Sequence, residues 1–209
     1  MKALEALNII GDVSSSQRGL FTSAQVVSLG LDRMVLSRLA AHGQIVPVAR
    51  GVYRVAAAPS IREEDVYAAW LAADPSTPAY LRPRGAGGLT ASLGTAAWLH
   101  DLGELKPEPI TFSCPQRKQS RNRSVRFIKR LLPEEDVCVV AGIPATTPGR
   151  TVLDLIDYGE DLSLVASALQ DAVRADPRID LRTQVNSRVS KCGFAEGFDL
   201  YSLMTEGRR

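Results

Sequence analysis

Apolar positions between residues 20 and 55 change their period partway along the stretch. Ala24 to Leu29 is a short apolar helical run. After Gly30, Leu31, Val35, Leu36 and Leu39 recur at helical spacing, which leaves Arg33, Met34, Ser37, Arg38 and Ala41 on the outward face. From Ile45 the chain turns to strand formers: Val46, Val48, Val52, Tyr53 and Val55, broken by Arg50-Gly51 as a turn. Thr22 and Ser23 precede the first helix and Asp32 the second, where side-chain oxygens can accept from free N–H groups. Gly30 and Gly43 follow the helix ends, where a left-handed residue is cheapest. The pattern predicts two short helices joined by a tight turn, then a β-hairpin. Leu4, Leu7, Ile10 and Ile9 predict an opening helix over residues 3–15 that completes a three-helix core. This is the order of a winged helix-turn-helix.

Beyond the hairpin, Ala56-Ala57-Ala58-Pro59 reads as a boundary, dividing the chain into 1–58 and 59–209. Ser60 is placed to cap a helix from Ile61 to about Ala73, stopped by Pro75 and Pro78. Residues 82–91, RPRGAGGLTA, form a glycine-rich loop, without the G-x-x-x-x-G-K-[ST] spacing of a phosphate-cradling loop. Residues 91–100 predict an apolar helix, with Trp98 in the core and His100 as a helix-end partner. Strands are expected at Ile110–Cys114, Ser124–Arg130 and Val137–Ala141. A turn over 144–151 leads into a helix at Thr151–Tyr158. Another helix is expected at Ser163–Ala175, and one or two short ones in the tail. The expected class is therefore α+β: a winged helix-turn-helix, then a mixed domain with a small antiparallel sheet and flanking helices.

Chemistry enters through the outward face of the second helix. In a helix-turn-helix that helix lies in the major groove, and its outward side chains reach base edges. Arginine matches guanine O6 and N7, or a phosphate, with its planar fork. Arg33 and Arg38 are the base-reading candidates, with Met34 and Ser37 beside them. Ser23 and Gln25 at the preceding helix start, and Arg50 and Arg54 on the hairpin, are candidates for phosphate. The same face could instead dock a protein, as winged helices also do.

Composition refines this only in places. Net charge is +2, yet residues 75–132 carry ten basic and three acidic groups, and residues 133–176 two basic and nine acidic. Within 117–130, Arg117, Lys118, Arg121, Arg123, Arg126, Lys129 and Arg130 stand without an acidic residue among them. Three readings stay open for that stretch: a second DNA-backbone contact, a docking face for an acidic protein, or a solvated loop. Cys114, Cys138 and Cys192 form no C-x-x-C pair, which points to a reducing compartment without a disulfide framework or zinc site. No apolar run is long enough for a transmembrane helix, and the first residues lack the build of a secretory leader, so a cytoplasmic protein is expected. No cofactor or metal is expected. Asp154 and Asp157, at i and i+3, read as a solvated helix face, or less simply as Mg²⁺ ligands of a phosphotransferase. The usual kinase signatures are absent.

The stretch GLFTSAQVVSLGLDRMVLSRLAAHGQIVPVARGVYRV resembles the N-terminal winged helix of AbiEi-type antitoxins. SLGTAAWLHDLG, PITFSCP, SVRFIKR and EEDVCVVAGIPATTPGRTVLDLI follow in the order of that family's second domain, so the resemblance covers about residues 5–157. It implies an antitoxin of a bacterial toxin–antitoxin pair. The implied partners are the promoter DNA of its own operon, which it represses, and a nucleotidyltransferase-like toxin, engaged directly or transiently. Two other functions remain open: a phosphotransferase that inactivates the toxin covalently, and a docking module without DNA binding.

Overall fold

A computed structural model describes residues 3–83, 85 and 87–206. The first two residues, Arg84 and Ala86 of the glycine-rich loop, and the last three residues lie outside the described residues. The chain divides into two compact units, 1–82 and 83–209. The division thus falls after Arg82 rather than after Ala58.

In the first unit, α1 (Ala3–Ser15), α2 (Ser23–Ser28) and α3 (Arg33–Ala41) accompany β1 (Leu20–Thr22), β2 (Ile45–Ala49) and β3 (Val52–Val55). The strands form an antiparallel sheet in the order β1-β3-β2. Ala6, Ile10, Phe21, Val26, Leu31, Leu36, Leu39 and Ile45 fill the core between them. Leu4, expected inside, is 71 % exposed, and Ala6 takes the inward position instead.

The unit does not close at the hairpin. α4 (Glu64–Ala73) buries Val66, Tyr67, Trp70 and Leu71 and belongs to it. It begins three residues later than Ser60 would set it, and its N-cap Glu63 makes no side-chain capping bond. Arg54 of β3 instead ion-pairs with Glu64 at 2.7 Å, tying the helix start to the sheet. The far end of α4 is held by Arg82. Its guanidinium donates to the carbonyls of Trp70 (2.5 Å), Leu71 (3.0 Å) and Asp74, and its Nε to Thr77 (3.1 Å). A cation on the last carbonyls of a helix meets both their lone pairs and the negative end of the dipole. Burial lowers the Arg82 pKa to about 10, against the opposing charges of Asp74 and Tyr67.

The second unit is built on a five-stranded sheet of order β6-β5-β4-β8-β7, comprising β4 (Thr90–Ala91), β5 (Ile110–Cys114), β6 (Val125–Lys129), β7 (Val137–Val140) and β8 (Ile143–Thr146). The sheet is mixed rather than small and antiparallel: β5 with β6 and β4 with β8 run parallel, the other two pairs antiparallel. The segment expected as a turn over 144–151 is in its first half the interior strand β8. Pro144 argues against a ladder, but β8 meets β4 through a single pair, Ala91 with Ala145. A two-residue turn at Ala141-Gly142, both at positive φ, joins it to β7. Around the sheet stand α5 (Gly94–Leu99), α6 (Pro148–Asp157), α7 (Leu162–Ala175), α8 (Arg182–Asn186) and α9 (Leu200–Glu206). Val152, Leu155, Val165, Leu169, Val185 and Leu200 join in one core, so the tail helices are part of the unit. Trp98 is only half-buried. Among the described residues, no helix is long and apolar enough to cross a membrane.

Candidate nucleic-acid interface

The geometry of α2 and α3 follows from their caps. Thr22 accepts from the Gln25 N–H at 3.1 Å while Gln25 Oε1 accepts from the Thr22 N–H at 2.9 Å, a reciprocal capping box. Gly30, at φ +92°, turns the chain, and Asp32 accepts from the Met34 N–H at 2.8 Å to start α3. Leu36 and Leu39 pin α3 to the core. The opposite face presents Arg33, Met34, Ser37 and Arg38, all exposed, as expected. Neither Arg33 nor Arg38 has an ion-pair partner among the described residues. Met34 is 65 % exposed, an apolar side chain in the middle of a polar face.

The hairpin is anchored at the start of α2. Gly51, at φ +76°, closes its turn, and the Gly51 carbonyl accepts from the Ser23 N–H at 2.8 Å. Ser23 is half-buried in that junction, and Arg50 is exposed at the tip. Two of the expected contacts are used elsewhere. Arg54 is half-buried, donating to Ala58 O at 2.5 Å besides its pair with Glu64. Gln25 is 3 % exposed and exchanges two amide hydrogen bonds with Gln17, at 3.0 and 2.9 Å. Gln17 also accepts from the Ala79 N–H at 2.9 Å, and Gln25 donates to Thr77 O at 3.3 Å. These side chains knit the unit together and are not free for phosphate. Helical spacing alone does not reveal Gln17 or Arg82 as structural, because nothing local marks them as buried.

The second basic stretch also divides. Arg117, Lys118, Arg121, Arg123, Arg126 and Lys129 are exposed, and none has an ion-pair partner among the described residues. Arg130 turns inward and binds both carboxylate oxygens of Asp154. Asp154 is fully buried and also accepts from Arg150 Nε at 2.7 Å, while Arg150 reaches Asp136 at 3.2 Å. Asp157 accepts from Arg188 at 3.0 Å and Lys191 at 2.6 Å. Burial works to raise the Asp157 pKa, but these two cations outweigh it and hold the carboxyl below its ordinary value. Asp154 and Asp157 are thus neither a solvated face nor open metal ligands. No cluster of metal-ligating side chains occurs among the described residues.

His100 and Cys138 come within 3.7 Å. The same ring nitrogen lies 2.8 Å from Thr146 O, and a carbonyl only accepts, so Nε2 carries a proton and cannot take one from the thiol. Burial lowers the imidazole pKa, against the Thr146 bond and the Asp101 charge, and raises the Cys138 thiol. The His100–Thr146 bond holds β8 to the end of α5, and the His100–Cys138 pair lacks the charge state of a nucleophilic dyad.

The class these features define is a two-unit protein, with a small helical unit and hairpin followed in the chain by a mixed α+β unit. The family model described as a transcriptional regulator, AbiEi antitoxin, matches residues 9–56, and that of the AbiEi antitoxin C-terminal domain matches residues 89–190. The chain belongs to the AbiEi antitoxin family. No curated protein matches the chain.

Proposed function

We propose that residues 1–82 form a winged helix-turn-helix that binds the promoter of the chain's own operon, and that the chain neutralises a nucleotidyltransferase-like toxin in the cytoplasm. The observation that carries the DNA reading is the outward face of α3. It carries Arg33 and Arg38, without ion-pair partners among the described residues, on either side of Met34 and Ser37, while the hairpin tip with Arg50 is anchored at the start of α2. A rigid helix offering guanidinium groups and a methyl-bearing chain suits major-groove edges, where guanine gives two acceptors and thymine a methyl group. Arg50 and the half-buried Ser23 suit the flanking backbone. The family's character as antitoxin and regulator supports pairing this DNA end with a toxin-directed second unit.

The test is a mobility shift of the promoter duplex across a salt series. The native chain binds with affinity falling steeply in salt, since neutralised phosphates release counterions. Replacing Arg33 and Arg38 by Ala together weakens binding by about a hundredfold, roughly tenfold for each guanidinium taken from a base edge. The same variant still rescues growth when the toxin is induced, because neutralisation resides in the second unit. Salt-insensitive or absent promoter binding by the native chain would end the DNA reading. Failure of rescue in the Arg variant would end the division of labour.

A further inference from the structure

β6 is an edge strand, and its unpaired side can be read residue by residue. It runs parallel to β5, with Ile110 opposite Val125 and Cys114 opposite Lys129. Ile110 N–H donates to Ser124 O at one end and Arg130 N–H to Cys114 O at the other. In a parallel ladder the bonded residues alternate. Ser124, Arg126, Ile128 and Arg130 therefore turn their backbone groups to β5, and those of Phe127 and Lys129 turn outward. Val125 N–H is used by Asn122 O at 3.1 Å, leaving its carbonyl on the open side. The strand is the outermost of the sheet.

Cations stand on both faces of this edge. Ile128 packs against the helical core, so Arg126, two residues before it, lies on the helix side of the sheet. Lys129 lies on the other side, where Lys118 sits 5.9 Å over the ring of Phe127. Arg117, Arg121 and Arg123 continue the charge along the exposed loop that leads into the strand.

We infer that the β6 edge takes up an extended acidic segment of a partner protein as an added strand. The choice of occupant rests on two matches. An added strand supplies both N–H and C=O to the outward groups of Phe127 and Lys129, whereas a phosphodiester backbone supplies acceptors alone. Acidic side chains at adjacent positions of such a segment point to opposite faces and meet Arg126 on one and Lys129 with Lys118 on the other. A second copy of β6 does not serve, because antiparallel pairing sets like charges against each other. The inference is independent of the DNA reading.

The test uses the full chain and a fluorescent peptide of alternating glutamate pairs and valine pairs, which sets carboxylates on both faces of the added strand. The chain binds it with salt-sensitive affinity. R126E with K129E weakens binding by about tenfold or more, since like charges then face each other. A peptide of the same sequence with every backbone nitrogen methylated binds at least about tenfold more weakly, as the ladder donors of both its edges are gone. R33A with R38A leaves peptide binding unchanged. Equal binding of the methylated peptide would overturn strand addition in favour of charge alone. Loss of promoter affinity in the R126E, K129E chain, with peptide binding intact, would assign the surface to DNA instead. Circular dichroism of each variant, matching the native chain, excludes misfolding as the cause.

Discussion

Gln25 stands at the start of α2, where a solvent-facing amide would reach a phosphate, yet its side chain is spent on Gln17 and Thr22. The amide pair is buried, and its outer bonds go to residues 77 and 79 at the far end of the unit. Removing Gln25 leaves the Thr22 N–H without its partner in a dry site and strips the Gln17 amide of two of its four bonds, those to Leu20 and Ala79 remaining, the costly side of hydrogen-bond energetics. Gln25→Ala therefore lowers the stability of residues 1–82 by about 2 kcal/mol, read from urea unfolding. At a concentration of denaturant where the unit stays folded, promoter affinity is unchanged. Unaltered stability with weakened DNA binding would return Gln25 to the interface. Arg38 and Arg54 make the complementary point. Both are arginines of the same segment, and only the neighbour decides: Glu64 waits for Arg54, and among the described residues no carboxylate waits for Arg38. Sequence spacing shows which way a side chain points from its own element, but not what a later element brings to meet it.

At the scale of elements, α2, α3 and the β2–β3 hairpin were legible because their caps and turns are local: Thr22, Asp32 and Gly51 act on backbone groups a few residues away. β8 was not legible. Its Pro144 and its Ala141-Gly142 turn carry neither the composition of a strand nor the Asn-Gly or Asp-Gly mark of a tight hairpin. β4 is two residues long, too short for any period, and gains its place only from β5 and β8. The tail was half legible. Its helices were expected, but their attachment depends on Asp157, which binds Arg188 and Lys191 across more than thirty residues. That carboxyl is held below its ordinary pKa, so its contribution is complete above the unfolded value and is lost as pH falls through the lowered folded one. Acidification past the ordinary carboxylate range, about 3.9, is expected to loosen residues 182–206 from α6. Arg188→Ala is expected to do so already at neutral pH. Amide hydrogen exchange over 182–206 checks both. Protection in R188A equal to the native chain would show that the apolar packing of Val185, Val189 and Leu200, with the Lys191–Asp157 pair, holds the tail without Arg188.

For the whole molecule, the position of the division decides how the two proposed activities can be separated. A cut after Ala58 follows the composition, since the Ala-Ala-Ala-Pro run looks like a linker. The packing puts the division after Arg82, because residues 59–82 complete the first unit. Glu64 takes the Arg54 guanidinium, Thr22 bonds the Pro75 carbonyl, the Ala79 N–H reaches Gln17, and Arg82 closes the end of α4. A fragment of residues 1–58 would leave Arg54, Thr22 and Gln17 short of partners in sites that α4 covers, and would expose apolar surface of the sheet that α4 packs against. At that length burial is already marginal. Residues 1–82 expressed alone are therefore expected to unfold in one cooperative thermal transition and to shift the promoter duplex. Residues 1–58 are expected to show a broad, non-cooperative melt and to bind DNA weakly or not at all. A sharp melt of 1–58 with full promoter affinity would mean that α4 and Arg82 serve the second unit, and that the first is complete at its hairpin.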